Sequence, residues 1–239
     1  MDESTAHILE SHHRNVTGGT ARAAVFGISD GLVSNVGLVL GTAAAGPGPA
    51  VVRLAGLVGL FAGAFSMAAG EYVSMKAQSE LLERELDMER SEIQRRPERE
   101  RLELAAIYRS RGIDAATAET LSHEMHRDPE LALETHAREE LGIDPRDLGS
   151  PVKAAGSSFV SFLIGGVIPL LPWFFGSGKA AVVASLLLGA AGAIAVGVAV
   201  ARLSNRPWPK PAARQLFVAL VAVGVGYVLG SLAGVTSAT

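Results

Sequence analysis

No cysteine occurs in the 239 residues. That excludes disulfides, thiolate zinc sites and iron–sulfur ligation. No phosphate-binding P-loop occurs either, so direct drive by ATP is not expected. Aromatic residues are scarce at 5%, against 27 glycines. Charge is also missing from most of the chain, because Lys, Arg, Asp and Glu gather in one central block. A soluble globular chain would spread its charges more evenly, so that class is set aside. The start, MDESTAHILESHHRN, has no early apolar core, and a cleavable signal peptide is not expected.

What the chain has instead is five apolar runs: Ala23–Ala45, Leu54–Val73, Ala154–Phe175, Ala180–Ala201 and Leu216–Val235. About 20 mostly apolar residues are enough for a helix to cross a bilayer. The expected fold class is all-α: a multi-pass membrane protein with five transmembrane helices and an inserted cytoplasmic helical domain. The divisions are an N-terminal cytoplasmic segment (1–22), spans 1–2 (23–75), a glutamate-rich charged domain (76–150) and spans 3–5 (151–239). Net charge is −3, an average over a near-neutral part and a mixed-charge block. It says little about partners beyond the lipid bilayer, and no nucleic acid is expected among them.

Orientation follows from the basic residues of the connections. With five spans, Arg14, Arg22, the arginine-rich block, Arg202, Arg206, Lys210 and Arg214 share one side, and only Arg53 and Lys179 lie on the other. Positive residues mark the cytoplasm, which places the N-terminus and the charged block inside and the C-terminus outside. With no signal and an Ala/Gly/Arg-rich composition, a bacterial inner membrane is the expected location. Small residues recur four apart at Gly27/Gly31, Gly37/Gly41, Gly59/Gly63 and Gly226/Gly230/Gly234, a spacing that lets helix backbones meet in lipid. Pro169 and Pro172 are expected to kink or end span 3.

One carboxylate, Asp30, sits inside the first apolar run. A charge deep in a span costs roughly 2.5–3.5 kcal/mol by insertion scales, so it ordinarily faces a polar path or a partner. Asp30 lies eight residues from Arg22, about 12 Å inside the cytoplasmic end. Counting back from Lys76 puts Met67 of the antiparallel span 2 at nearly the same depth. Glu71 is one turn nearer the cytoplasm on Met67's face. Ser34 and Asn35 add neutral polar groups along span 1. A hard carboxylate beside a soft thioether suits a borderline metal such as Fe²⁺ better than Mg²⁺ or Ca²⁺. Packing in lipid is the plainer use of Met67.

In the charged block, Glu85, Glu89 and Glu92 fall on one helix face, and Glu100 and Glu103 make an i, i+3 pair after Pro97. Two such pairs on successive helices can converge on divalent ions. Interleaved arginines offer the alternative of a solvated helix laced with ion pairs. Helices are expected from span 2 through Arg96, over Glu98–Arg111, from Asp114 to His126, and from Asp128 to before Gly142. So few apolar residues accompany them that a partner copy is expected to help bury a core. His7, His12 and His13 suit a metal or a solvated terminus. Catalytic patterns are lacking. His123-Glu124-Met125-His126 is one residue too short for the HExxH of a zincin. No histidine of the charged block has the glutamate three residues earlier that a bundle-type di-iron oxidase wants. No enzyme activity is expected.

FGISDGLVSN in span 1, AGAFSMAAGEYVSMKAQSE in span 2 and GGVIPLLPW in span 3, taken in this order, resemble the signature stretches of the vacuolar iron transporter (VIT) family. These are membrane Fe²⁺/Mn²⁺ carriers that work by proton antiport. The resemblance covers nearly the whole chain. It implies a five-span homodimer with a cytoplasmic metal-binding domain after span 2, exporting Fe²⁺ as substrate, with Mn²⁺, Co²⁺ or Zn²⁺ compatible with the same sites, and using no catalytic cofactor. It makes Asp30 and Met67 path residues. RELDMERSEI, Pro97 and ERERLEL place Glu89, Glu92, Glu100 and Glu103 at ligand glutamates, and REELGI places Glu140 at a fifth. Two positions depart from the pattern. Gly59 stands where plant-type members carry a glutamate, which leaves Glu71 to take over part of that role. His136-Ala137 replaces a methionine pair, with His136 as the substitute ligand. Other classes left open are a non-transporting membrane metal sensor or scaffold and a membrane ferroxidase.

Overall fold

The computed structural model describes residues 19–46 and 48–237, the last three by backbone alone. His7, His12 and His13 lie outside them. The described residues form helices joined by short turns, without a strand. In chain order these are α1 (Thr20–Ala44), α2 (Pro49–Arg95), α3 (Pro97–Ser110), α4 (Ala115–Met125), α5 (Pro129–Glu139), α6 (Pro151–Leu170), α7 (Pro172–Phe175), α8 (Gly178–Leu203) and α9 (Pro209–Ser237). Five of them, α1, α2, α6, α8 and α9, are long and apolar enough to cross a membrane. The protein is an all-α membrane protein.

Six of the helices open on proline. Proline at the first helical position loses nothing, because the N–H it lacks has no intrahelical partner there. Span 2 was expected from Leu54 and span 5 from Leu216, yet their helices start at Pro49 and Pro209. Hydropathy marks the part of a helix that meets lipid, whereas proline marks where the helix begins. Span 3, expected as one run to Phe175, breaks at Leu171 into α6 and α7. The break frees the carbonyl of Pro169. Ser185 Oγ donates to it at 2.7 Å and itself accepts from Trp173 Nε1 at 3.0 Å. Backbone groups freed within a membrane need such internal partners.

The chain divides into two units. The first joins the described residues up to Val73 with those from Pro151 onward. In it α1 is held by backbone contact on two sides. A Cβ at Gly31 would overlap the Phe162 carbonyl of α6, and one at Gly41 would overlap the backbone of Gly226 in α9. Glycine at four-residue spacing therefore does here what its pattern foretold. Val39, Val52, Leu60, Ala64, Phe162, Leu170, Trp173 and Ala181 form the main apolar core. Phe26, Leu54, Phe65, Leu187, Phe217 and Leu229 are exposed on its outside, where a bilayer is the matching solvent.

The second unit, Ser74–Ser150, follows its capping residues. Asp114 accepts from the Thr117 N–H and Asp128 from the Glu130 N–H, each satisfying an otherwise unpaired donor of a first turn. Gly112 and Gly142 take positive φ just past α3 and α5, the left-handed conformation that ends a helix. Leu86, Ile93, Ala132, Leu133 and Ala137 make a small apolar cluster, with Leu148 against it.

Candidate functional site

Two groups of polar side chains stand out, one in each unit. In the membrane unit, Asp30, Ser34, Asn35, Leu38, Gly59, Gly63, Ser66, Met67 and Phe162 line a cavity of about 310 Å³. The α2 contributors Gly59, Gly63, Ser66 and Met67 fall at i, i+4, i+7 and i+8, one face of a helix. Asn35 is buried; its Nδ2 donates to the Gly166 carbonyl at 2.6 Å, while its Oδ1 has no partner. A buried acceptor without a donor is costly, and a cation in the cavity would satisfy it. Ser34 Oγ donates back to the Asp30 carbonyl at 2.6 Å, which leaves its lone pairs free. Carboxylate, thioether, amide oxygen and two hydroxyls thus face one space, with no Lys or Arg among the lining residues.

Of the expected path residues, the cavity brings together Asp30, Met67, Ser34 and Asn35. Glu71 is not among its lining residues. Its Oε1 takes the Arg22 guanidinium at 3.0 Å, one turn along the face from Met67. Ser66 belongs to the cavity and was not singled out in the sequence. The signal for it was there, in its helical spacing from Gly59. Gly59 lines the same space, across from Asn35 and Leu38.

In the charged unit, Glu89 of α2, Glu100 of α3 and His136 of α5 each present a ligand atom, and these atoms lie within 4.8 Å of one another. All three are nearly inaccessible, at 6%, 2% and 0% exposure. Donors around an ion held at about 2.1 Å stand about 3.0–3.4 Å apart in octahedral or tetrahedral geometry, so a small closure suffices to grip one. His136 Nδ1 lies 3.1 Å from Glu89 Oε1 and 3.1 Å from Glu140 Oε2. Only the second contact makes a hydrogen bond, and Glu89 Oε1 is left as a buried oxygen without a partner. Two carboxylates and an imidazole suit Fe²⁺, Mn²⁺, Co²⁺ or Zn²⁺.

Glu92 and Glu103, expected as ligands, do not join this set of donor atoms. Glu92 is exposed and Glu103 half-buried. Their charges are nevertheless felt. Burial, then repulsion by Glu103 and Glu92, pushes the Glu100 pKa up. Burial also pushes Glu89 from 4.5 to about 7, opposed by His136 and assisted by Glu140, Glu100 and Glu92. A cation would relieve this crowding and displace the protons that the cluster otherwise holds. The interleaved arginines do form surface pairs, including Arg101 with Glu98 and Arg90 with Asp87. The ion-pair reading therefore holds on the outer face of the same helices. His126, the last residue of the too-short His-Glu-Met-His stretch, closes one side of the cluster, with Nε2 3.4 Å from His136 Nε2.

Known proteins resemble this chain over most of its length. The model of the VIT family matches residues 21–231. A vacuolar iron transporter of Acanthamoeba castellanii is 38% identical over 185 residues, 74% of this chain and 67% of its own. Vacuolar iron transporter 1 of Oryza sativa is 31% identical over 179 residues, covering 73% and 70%. Vacuolar iron transporter 1 of Arabidopsis thaliana is 28% identical over 227 residues, 95% of this chain and 90% of its own. These relatives are named as transporters rather than enzymes, in line with the absence of a catalytic pattern.

Proposed function

The chain belongs to the VIT family, and from that membership we propose that it carries divalent transition-metal ions across a membrane. Fe²⁺ is the first cargo and Mn²⁺ the second, moving out of the cytoplasm in exchange for protons. The observation that carries the reading is the membrane cavity in which Asp30 and Met67 meet with an unpartnered amide oxygen and no positive group. Relatives named for iron transport support the cargo. The carboxylate–histidine cluster supports a collecting role for the charged unit, with Glu89, Glu100 and His136 as ligands, Glu140 beside them, and Glu92 and Glu103 raising the local negative field.

Exchange rests on the chemistry of a titratable carboxylate, which is either metal-bound or protonated as the ion leaves. Asp30, which lines the cavity, takes that role in this reading. Glu71, held by Arg22, is the next carboxylate toward the cytoplasmic end. Asp30 and Ser34 are exposed on the single chain, which favours a second copy as the other wall of the path, hence a homodimer. The basic connections support an N-terminus inside and a C-terminus outside. The relatives named are eukaryotic and called vacuolar, so a bacterial inner membrane rests on composition alone.

The cluster by itself also suits a membrane metal sensor that moves nothing. Purified protein in liposomes separates the two. A carrier gives Fe²⁺ flux that grows with an opposing pH gradient and acidifies or alkalinises the lumen in step. A sensor binds metal and leaves the lumen unchanged.

A further inference from the structure

His136 has both ring nitrogens committed, and to different neighbours. Nδ1 faces the carboxylates of Glu140 and Glu89 at 3.1 Å each, and Nε2 faces His126 Nε2 at 3.4 Å. The other nitrogen of His126, Nδ1, is 2.9 Å from the Ser122 carbonyl oxygen. A carbonyl only accepts, so His126 Nδ1 must carry the proton of that bond. The neutral ring then has its lone pair on Nε2, pointed at His136. The partner that lone pair requires is a proton on His136 Nε2. With Nε2 protonated, the proton of the hydrogen bond between Nδ1 and Glu140 Oε2 is the one an ion replaces, which gives the ion the Nδ1 pair on the side of Glu89 and Glu100. The two ring planes are nearly perpendicular, at 86° with centroids 5.2 Å apart, and the short Nε2–Nε2 distance makes this a contact between ring edges and not a stack.

We propose that His126 is a positioning residue that fixes the tautomer of His136, so that Nδ1 and not Nε2 is the metal ligand. The relay runs from the Ser122 carbonyl through both imidazoles to the ion, and it brings α4, which supplies no ligand of its own, into the site. Ligating histidines commonly owe their orientation and tautomer to such an outer partner, and losing it typically costs 10–100-fold in affinity. The inference rests on the metal-collecting reading of the charged unit.

The test uses the full chain in detergent, with Zn²⁺ as the probe and a chromophoric chelator as competitor. His126→Leu is expected to weaken Zn²⁺ binding by about 10–100-fold. His126→Gln, whose side-chain oxygen still accepts from His136 Nε2–H, is expected to restore most of the loss. In ¹⁵N-histidine spectra of the Zn²⁺-loaded wild type, His136 should be protonated at Nε2 and metal-bound at Nδ1. A metal-bound Nε2, unchanged affinity in His126→Leu, or no rescue by glutamine would overturn the assignment. Binding that ignores Glu89→Gln and Glu100→Gln as well would remove the collecting site and the relay together. Loss in those two variants with none in His126→Leu would remove the relay alone.

Discussion

In the proposed carrier, the membrane cavity and the carboxylate–histidine cluster would address the same kind of ion with different means. The cavity offers one carboxylate, Asp30, among neutral oxygens and a thioether. The cluster packs Glu89 and Glu100 beside His136, with Glu140 against the imidazole and two more glutamates close enough to be felt. Each added anion deepens the attraction for a cation, and more steeply where water is excluded. A place that gathers scarce ions profits from that depth. A place that must let them pass is better served by a shallow well, because conduction requires binding weak enough to leave.

The contrast breaks most completely at Asp30. Replacing the cavity's lone carboxylate, Asp30→Ala, is expected to bring Fe²⁺ flux in liposomes down to that of protein-free vesicles, while metal binding by the charged unit persists. Wild-type flux would take Asp30 out of the path. The cluster should fail differently. Glu89→Gln with Glu100→Gln is expected to weaken equilibrium metal binding by more than the ~10–100-fold that outer partners cost, yet leave some flux at high metal concentration. Calorimetry on the purified chain reads the first half and liposome flux the second.

Packing in the membrane unit supplies a smaller effect. Gly31→Ala forces a methyl into the Phe162 carbonyl and is expected to cost about 1–3 kcal/mol, seen as a lower thermal midpoint. Gly70→Ala, with open space around it, should leave the midpoint unchanged. The least effect is one of pH. Burial lifts the Glu89 pKa from 4.5 to about 7, so the folded metal-free chain holds a proton that the unfolded chain has released. The stability linked to that proton is complete below about pH 4.5 and is lost as pH rises through about 7. Metal-free protein should therefore lose stability over that window, and Glu89→Gln should flatten the loss. Thermal melts at stepped pH with a chelator present would show it.

Much of this was readable from residue order alone. Five apolar runs gave the five long helices, and capping residues such as Asp114, Asp128 and Gly112 located the ends of the short ones, because these signals act within a few residues of where they stand. Asp30 and Met67 were paired by counting residues from the two ends of antiparallel spans, and they do line one cavity. Other features depend on contacts made across the fold. Nothing near Glu71 in sequence foretells that Arg22, 49 residues earlier, takes its carboxylate. Glu92 and Glu103 fit the spacing as well as Glu89 and Glu100 do, and only tertiary packing separates the buried pair from the outer one. The spacing of His126 along its own helix says nothing of its partner, His136, which lies on another.

The glycine contacts of α1 have a mechanical consequence. Where backbones touch, as at Gly31 with Phe162 and Gly41 with Gly226, sliding means collision. Between α2 and its neighbours the contacts are side-chain tips instead: Leu60 over Gly166, Leu38 over Gly59, Phe162 over Gly63. Such tips can turn aside for about 1 kcal/mol. The cavity therefore has one stiff wall and one yielding wall, and the yielding wall bears Met67. Any breathing of this space falls to the thioether's helix, while Asp30 stays put as the post it moves against.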